Sequence, residues 1–372
     1  MIATLCTFSY IACVEQFIYV DFHSPTNILV VRTDRIGDVI LSLPMVSALR
    51  AAFPTARISM LLRSYTMPLA ENYAGLDQTM SYDEQGIEKP FRTMLKELRQ
   101  HNFDAVVVSY PTLRLALLMF LSRIPLRIGT GYRWYSFFFN KRIYEHRKTA
   151  EKHESEYNIS LLRALGISDM SVPLVKLEFS QEDEREAQKA MEKLALSSAE
   201  RVVVLHPGSG GSARDWSPDS FARLAQLLEK ESYNVVVSGG PGEAGLVRAV
   251  IERSGTAATA FVGNLNLKQL AAFLRQVDLF VSNSTGPLHI AAVVGTPVIG
   301  LYPPIRECSP ARWGPLSTRK RIFVPNAIEC PRCKGSACRG NDCMDLITPE
   351  MVFEAAKELL TESHAQRRVM VS

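Results

Sequence analysis

The sequence predicts an α/β protein built from two Rossmann-like domains that face a central cleft. Three observations carry that prediction. The chain has 372 residues, more than a single hydrophobic core ordinarily serves. Short runs of β-branched residues alternate with amphipathic stretches, the pattern of parallel strands joined by crossover helices. Such a series starts twice, near residues 28 and 201, and each time runs into a glycine-bearing turn. The predicted partition is an N-terminal extension (1–26), a first domain (27–180), a junction helix (181–200), a second domain (201–348) and a C-terminal helix and tail (349–372).

In the first half, residues 28–32 (ILVVR) read as a buried strand and TDRIGD as a polar turn. Val39–Ala52 reads as a helix closed by Phe53-Pro54, and Arg57–Leu62 as the next strand. Ala105–Ser109 is a further strand, Leu113–Ser122 a helix, and Glu154–Leu165 a helix stopped by Gly166. Between them, Arg123–His153 carries eight Lys/Arg against Glu145 and Glu151, interleaved with Tyr132, Trp134, Tyr135 and Phe137–Phe139. Residues 181–198 form a charged, solvated helix. In the second half, strand 201–205 enters HPGSGGSARDW and a helix at 218–231, and strand 234–238 enters GGPGE and a helix to about Arg253. Strand 278–282 enters NSTGP and a helix through Val294; strand 297–301 and a helix at 349–362 follow.

Composition narrows the function. With 42 Lys+Arg against 38 Asp+Glu the net charge is +4, too small for a wholesale nucleic-acid binder, so no nucleic-acid partner is expected. No apolar run approaches the roughly 18–20 residues that span a bilayer. Seven cysteines are too sparse for a disulfide scaffold and point to a reducing, cytoplasmic compartment. Residues 1–20 lack the basic start of a signal segment and are interrupted by Glu15 and Gln16, so a surface-packed or disordered extension is expected.

Open parallel sheets bind ligands beyond the carboxyl ends of their strands, where helices begin. Three loops of the second half offer glycines and helix N-termini there, which suits a nucleotide diphosphate: His206, Gly208 and Ser209; Gly239, Gly240 and Glu243; Ser284, Thr285 and Gly286. His289 falls one turn below Thr285, either as an anion contact or as a satisfied core histidine. Arg214 offers a fixed charge to a leaving diphosphate, or is a solvated surface residue. Glu243 reads as a ribose acceptor or as a first-turn helix acid. In the first half Asp38 is either a general base for an attacking hydroxyl or an acid favoured by a helix start. The chain has no G-x-x-x-x-G-K-[ST], which disfavours a P-loop hydrolase. The first turn has no G-x-G-x-x-G, which disfavours a nicotinamide enzyme.

Taken together, ILVVRTDRIGDVILSLPMVSALRAAFP, LHPGSGG with the following RDW, SGGPGE and SNSTGPLHIAAVVGTPVIGLYPP resemble, in order, the motifs of glycosyltransferase family 9, the ADP-heptose:lipopolysaccharide heptosyltransferases. The resemblance spans about residues 27–360. It implies a GT-B fold, an acceptor held by the first domain, a nucleotide-sugar held by the second, and inverting transfer without a catalytic metal. By position Asp38 matches the family's proposed base, Arg214 a phosphate-contacting lysine, Glu243 the acid near adenosine, and Thr285, Gly286 and His289 the phosphate turn. Ser284 departs from the Asp of some members, and Asp215 from a basic residue. The implied partners are ADP-heptose and the phosphorylated lipid A–core acceptor at the cytoplasmic face of the inner membrane. Arg35, Arg133, Lys141 and Arg142 are the acceptor-binding candidates. Rivals are transfer of another activated sugar and a non-catalytic nucleotide-sugar binder that would not need Asp38. Cys330, Cys333, Cys338 and Cys343 are spaced closely enough to hold one structural Zn²⁺.

Overall fold

A computed structural model describes residues 24–196, 201–211, 214–263, 265–326 and 343–371, with side chains described to residue 362. The first sheet consists of β1 (Asn27–Arg32), β2 (Arg57–Leu62), β3 (Gln78–Ser81), β4 (Ala105–Val108), β5 (Leu126–Thr130) and β6 (Lys141–Ile143). Their spatial order is β3-β2-β1-β4-β5-β6, and every pairing is parallel. The second sheet repeats this order as β9-β8-β7-β10-β11-β12, again all parallel. Its strands are β7 (Val202–His206), β8 (Asn234–Gly239), β9 (Thr259–Val262), β10 (Leu279–Asn283), β11 (Val298–Leu301) and β12 (Lys320–Phe323). This is the doubly wound order, whose switch point opens a crevice between the first and fourth strands of each sheet. The two-domain α/β architecture is therefore as predicted.

The helices that matter below are α1 (Ile36–Ile40), α2 (Leu43–Ala52), α3 (Phe91–Gln100), α4 (Leu113–Leu121), α5 (Glu154–Ser160) and α6 (Gln181–Lys193). In the second half they are α7 (Pro218–Lys230), α8 (Ala244–Ser254), α9 (Leu267–Leu274), α10 (Gly286–Val293), α11 (Pro310–Trp313) and α12 (Pro349–Val371). The helix predicted over Val39–Ala52 starts earlier and is broken in two. Pro44, in the first turn of α2, has no N–H to donate and its ring would press on the carbonyl of Ile40, so the chain turns and restarts.

The segment Arg123–His153, to which the sequence reading gave no strands, supplies β5, β6 and a 3₁₀ turn at Ser136–Phe138, with Tyr135 and Phe139 buried beneath α4. The strands β3, β9 and β12 likewise carry no strong apolar run; β3 and β9 are edge strands of their sheets, and β12 closes the other edge of the second.

Packing joins the halves. Ile40, Val46 and Leu49 of the first domain and Leu274, Leu288 and Ile290 of the second belong to one continuous buried core. Each such fully buried aliphatic side chain contributes about 1.5–3 kcal/mol. The outer face of the first sheet is closed by α3 and α4, and that of the second by α7, α8 and the C-terminal helix α12. Leu359 and Leu360 of α12 are buried in the second domain's core, so this helix is part of that domain's packing.

Candidate functional site

The first switch point is organised by an arginine. Arg32 ends β1 in full burial, a position tolerable for a guanidinium only if its donors are met. Its Nε donates to Asp34 Oδ1 at 2.8 Å, its Nη2 to Asp38, and its Nη1 to Asn158 Oδ1 at 3.2 Å and Glu154 Oε1 at 3.4 Å. Asn158 is itself fixed, donating to Leu41 O at 3.0 Å and Ser42 Oγ at 3.1 Å. Burial pushes the Asp34 carboxyl up to about 7 against the pull of Arg32, and the neighbouring charge of Asp38 adds to the rise. Asp38 lies in the first turn of α1, oriented by Arg32 and facing a cavity of about 810 Å³. Asp34, Tyr110 and Arg133 share that cavity's wall. Glu154 is 1% exposed. Burial works to raise its carboxyl, but Arg147, Arg32 and Arg312 outweigh it and hold the group below the usual carboxylate range.

The second switch point is built from loops that the sequence singled out. His206, Ser209, Gly239, Gly240 and Glu243 line a cavity of about 550 Å³, with Phe261 and Leu270 as apolar wall. The His206 ring nitrogen Nδ1 lies 3.0 Å from Ser238 Oγ, and burial lowers its pKa to about 4. Glu243 accepts a hydrogen bond from Gly240 N–H at 2.7 Å, so it caps its own turn. Gly208 packs on that carboxylate so closely that a Cβ would sit 2.0 Å from Oε1. Asn283, which the sequence did not single out, clamps the loop: it donates to Pro207 O at 2.7 Å and accepts from Trp216 N–H at 2.8 Å.

Thr285 N-caps α10, yet its hydroxyl makes no hydrogen bond among the described residues although it is buried. A buried, unpaired donor at a helix N-terminus is a costly arrangement unless a ligand completes it. His289 Nδ1 is also buried without a hydrogen-bond partner among the described residues, and burial lowers the imidazole to about 3. It is therefore neutral, and it packs against the backbone of Gly37, where a Cβ would lie 2.7 Å from its ring. Gly286 makes the reciprocal approach: a Cβ there would meet Ile36 Cβ at 2.5 Å. The two glycines let α1 and α10 cross closely, which brings the two switch points together.

Where they meet, Asp38, Gly37 and Arg35 from one domain and Ser284, Thr285, Gly286 and His289 from the other line a gap of about 240 Å³. Arg35 lines this gap and both larger cavities. The arrangement can hold an anion at the start of α10, a second molecule beside Asp38, and a proton acceptor between them.

The remaining candidates sit elsewhere. Arg214 is half-buried, makes contacts within the protein and lines none of these cavities. Lys141 and Arg142 also lie outside the cavity lining: they occupy the start and middle of edge strand β6, while ligands gather at strand carboxyl ends. Cys330, Cys333 and Cys338 lie outside the described residues; Cys343 is half-buried against the second core. Among the described residues no group of three or more His, Cys, Asp or Glu could hold a metal ion. The sequence reading missed Arg32, Asp34, Glu154, Arg147 and Arg312. The one available signal was Arg32 itself, a charge ending an otherwise apolar strand.

Comparison with known proteins adds the following. The family model described as glycosyltransferase family 9 (heptosyltransferase) matches residues 91–343. A Haemophilus influenzae protein named as a glycosyltransferase is 30% identical over 299 residues, covering 78% of this chain and 86% of its own. Lipopolysaccharide heptosyltransferase 2 of Escherichia coli is 27% identical over 353 residues, covering 91% of this chain and 100% of its own. The solved structure of Escherichia coli ADP-heptose LPS heptosyltransferase II superposes with a TM-score of 0.74 at 23% identity, covering 91% of this chain and 99% of that one.

Proposed function

The chain belongs to glycosyltransferase family 9 (heptosyltransferase) and has its GT-B fold; on that premise we propose that it transfers heptose from ADP-heptose to a phosphorylated sugar of the lipopolysaccharide core. The donor's adenosine occupies the cavity walled by Phe261 and Leu270, with its diphosphate at Thr285 and the N-terminal N–H groups of α10. The acceptor enters the larger first-domain cavity, where Arg35, Arg133 and Lys148 face its phosphates. Asp38 takes the proton of the acceptor hydroxyl as that oxygen attacks the anomeric carbon. The bond from this carbon to the diphosphate oxygen breaks, and ADP leaves with the electron pair. Attack opposite the leaving group inverts the anomeric centre. Charge growing on the diphosphate is stabilised by donors already in place. With Arg214 outside the cavity lining, this role falls to Thr285 and α10. No step of this scheme uses a metal.

One observation carries the reading: Asp38 and Thr285, from different domains, line the same small gap between the two cavities. The names of the relatives support the donor and acceptor class. The exposed rings of Trp134 and Phe137, close in sequence to the cavity-lining Arg133, support peripheral contact with the cytoplasmic face of the inner membrane. Among the described residues no helix is long and apolar enough to cross a membrane.

The test is ADP release from ADP-heptose in the presence of a lipid A–core acceptor. Asp38→Asn is expected to lower turnover by about 10²-fold or more while leaving ADP affinity unchanged. Parent-like turnover in the variant would reduce Asp38 to a helix-start acid.

A further inference from the structure

We propose that Arg312, contributed by the second domain, is a positioning residue for Asp38 and acts through Glu154 and Arg32. The proposal rests on the transfer reading above, in which Asp38 is the base. Arg312 reaches across from α11: its Nε donates to Glu154 Oε2 at 2.9 Å, and its Nη1 to Arg147 O at 3.1 Å. The other oxygen of Glu154 accepts from Arg147 and from Arg32. Arg32 in turn holds Asp38 and Asp34. Three guanidinium groups thus face three carboxylates in a nearly dry cluster, and one of the cations belongs to the opposite domain.

The balance has a consequence. With the domains together and all three carboxylates ionised the cluster is neutral, and Glu154 is satisfied from both sides. Without Arg312 a buried carboxylate loses its partner, and Glu154 competes with Asp38 for Arg32. An excess negative charge in a desolvated cluster is relieved by taking up a proton. The carboxyls able to take it are Asp34, already raised by burial, and Asp38, which shares Arg32 with it. A proton taken up by Asp38 removes working base at a given pH, and that is what the acid limb of turnover reads. The other charged or titratable groups around the cluster are Tyr110, Tyr132 and Arg133 on the cavity wall, Arg63 and Tyr65 beyond β2, Arg35 at the start of α1, Glu145, His146 and Lys148 after β6, His153 ahead of α5, and Tyr157 against Arg147. None of them is changed by substituting Arg312.

The experiment is the pH profile of kcat for the parent, Arg312→Gln, Arg312→Lys, Glu154→Gln and the Arg312→Gln/Glu154→Gln pair, each confirmed as folded by ADP titration. In Arg312→Gln the acid limb is expected to move up by about half a pH unit or more. Arg312→Lys keeps the charge and should hold the limb near its parent position. In Glu154→Gln the limb should move down, because the excess charge is now positive, and in the pair it should return. Opposite displacements from two neighbouring substitutions are not what loss of shape produces. Superimposable profiles, or an effect confined to acceptor KM, would overturn the proposal and leave Arg312 as cavity wall. Carboxyl titration of ¹³C-aspartate-labelled parent and Arg312→Gln by NMR reads the same displacement without turnover. An inactive parent would therefore count against the transfer reading, while the NMR titration still decides the role of Arg312.

Discussion

His289 sits one turn below Thr285, where spacing alone makes it a phosphate contact or a core residue, and burial decides its charge. The imidazole is 4% exposed and held neutral, with its pKa lowered to about 3. His206 behaves similarly at about 4. In the unfolded chain both protonate near 6.5, so below that pH the unfolded state binds more protons and stability falls as pH falls. Asp34 has the opposite sign. Its folded value of about 7 lies above the unfolded one, so between about 4 and 7 it favours the folded state at the lower pH. Taken together, these three groups lose stability on acidification. His289→Gln should flatten the dependence between pH 6.5 and 4 by about 1.4 kcal/mol per pH unit. Urea unfolding at pH 7.5, 5.5 and 4.5 measures it; an unchanged slope would mean that His289 is protonated in the folded protein. The sequence placed this residue on the correct helix turn. It could not show that Gly37, some 250 positions away, forms the other side of its pocket.

At the level of elements, the crossing of α1 over α10 is what assembles the site. Gly286 is the tightest point, since an added Cβ would be 2.5 Å from Ile36 Cβ. Alanine gains at most about 1 kcal/mol of helix propensity there, and overpacking costs about 1–3 kcal/mol, so Gly286→Ala should be destabilising on balance. Ile36→Ala in the same chain should return only part of the loss, because it removes Cγ2 and Cδ1, at 2.9 and 3.3 Å, and keeps the closer Cβ. Denaturant midpoints for the two single variants and the pair give the coupling directly; strict additivity would show that the helices have room to spare. The sequence marked this glycine as a candidate for a phosphate turn, but its close approach to Ile36 was not legible, because that contact belongs to the interface. A similar limit explains the strands that went unread. β1, β7 and β10 are buried on both faces and announce themselves as apolar runs, whereas β3, β5 and β6 are short or polar and exist because a neighbour offers its free edge.

Across the whole molecule, the basic aromatic segment divides into parts with different duties. Arg147 serves the buried cluster, Arg127 donates to the carbonyls of Ile124 and Phe138, and Lys152 pairs with Glu145. What faces outward is mixed: Arg123, Arg133, Lys141, Arg142 and Lys148 are exposed, as are Trp134 at 74% and Phe137 at 60%. If the proposed membrane contact is made here, Trp134→Ser with Phe137→Ser should weaken co-sedimentation with anionic vesicles by about tenfold or more, the scale of burying two rings. Transfer to a delipidated acceptor should be untouched. Equal sedimentation of variant and parent would leave the rings without a lipid partner.

The cavity geometry bears on how such an enzyme can diversify. Among the described residues the cavities proposed for nucleotide and acceptor have a single lining residue in common, Arg35. Substitutions around Tyr110 or Arg133 can reshape acceptor choice without touching the pocket walled by Phe261, and the reverse holds as well. On the proposed assignment, donor and acceptor preference are free to drift separately away from the gap that joins the cavities, and Arg35 is a position where a change is felt in both.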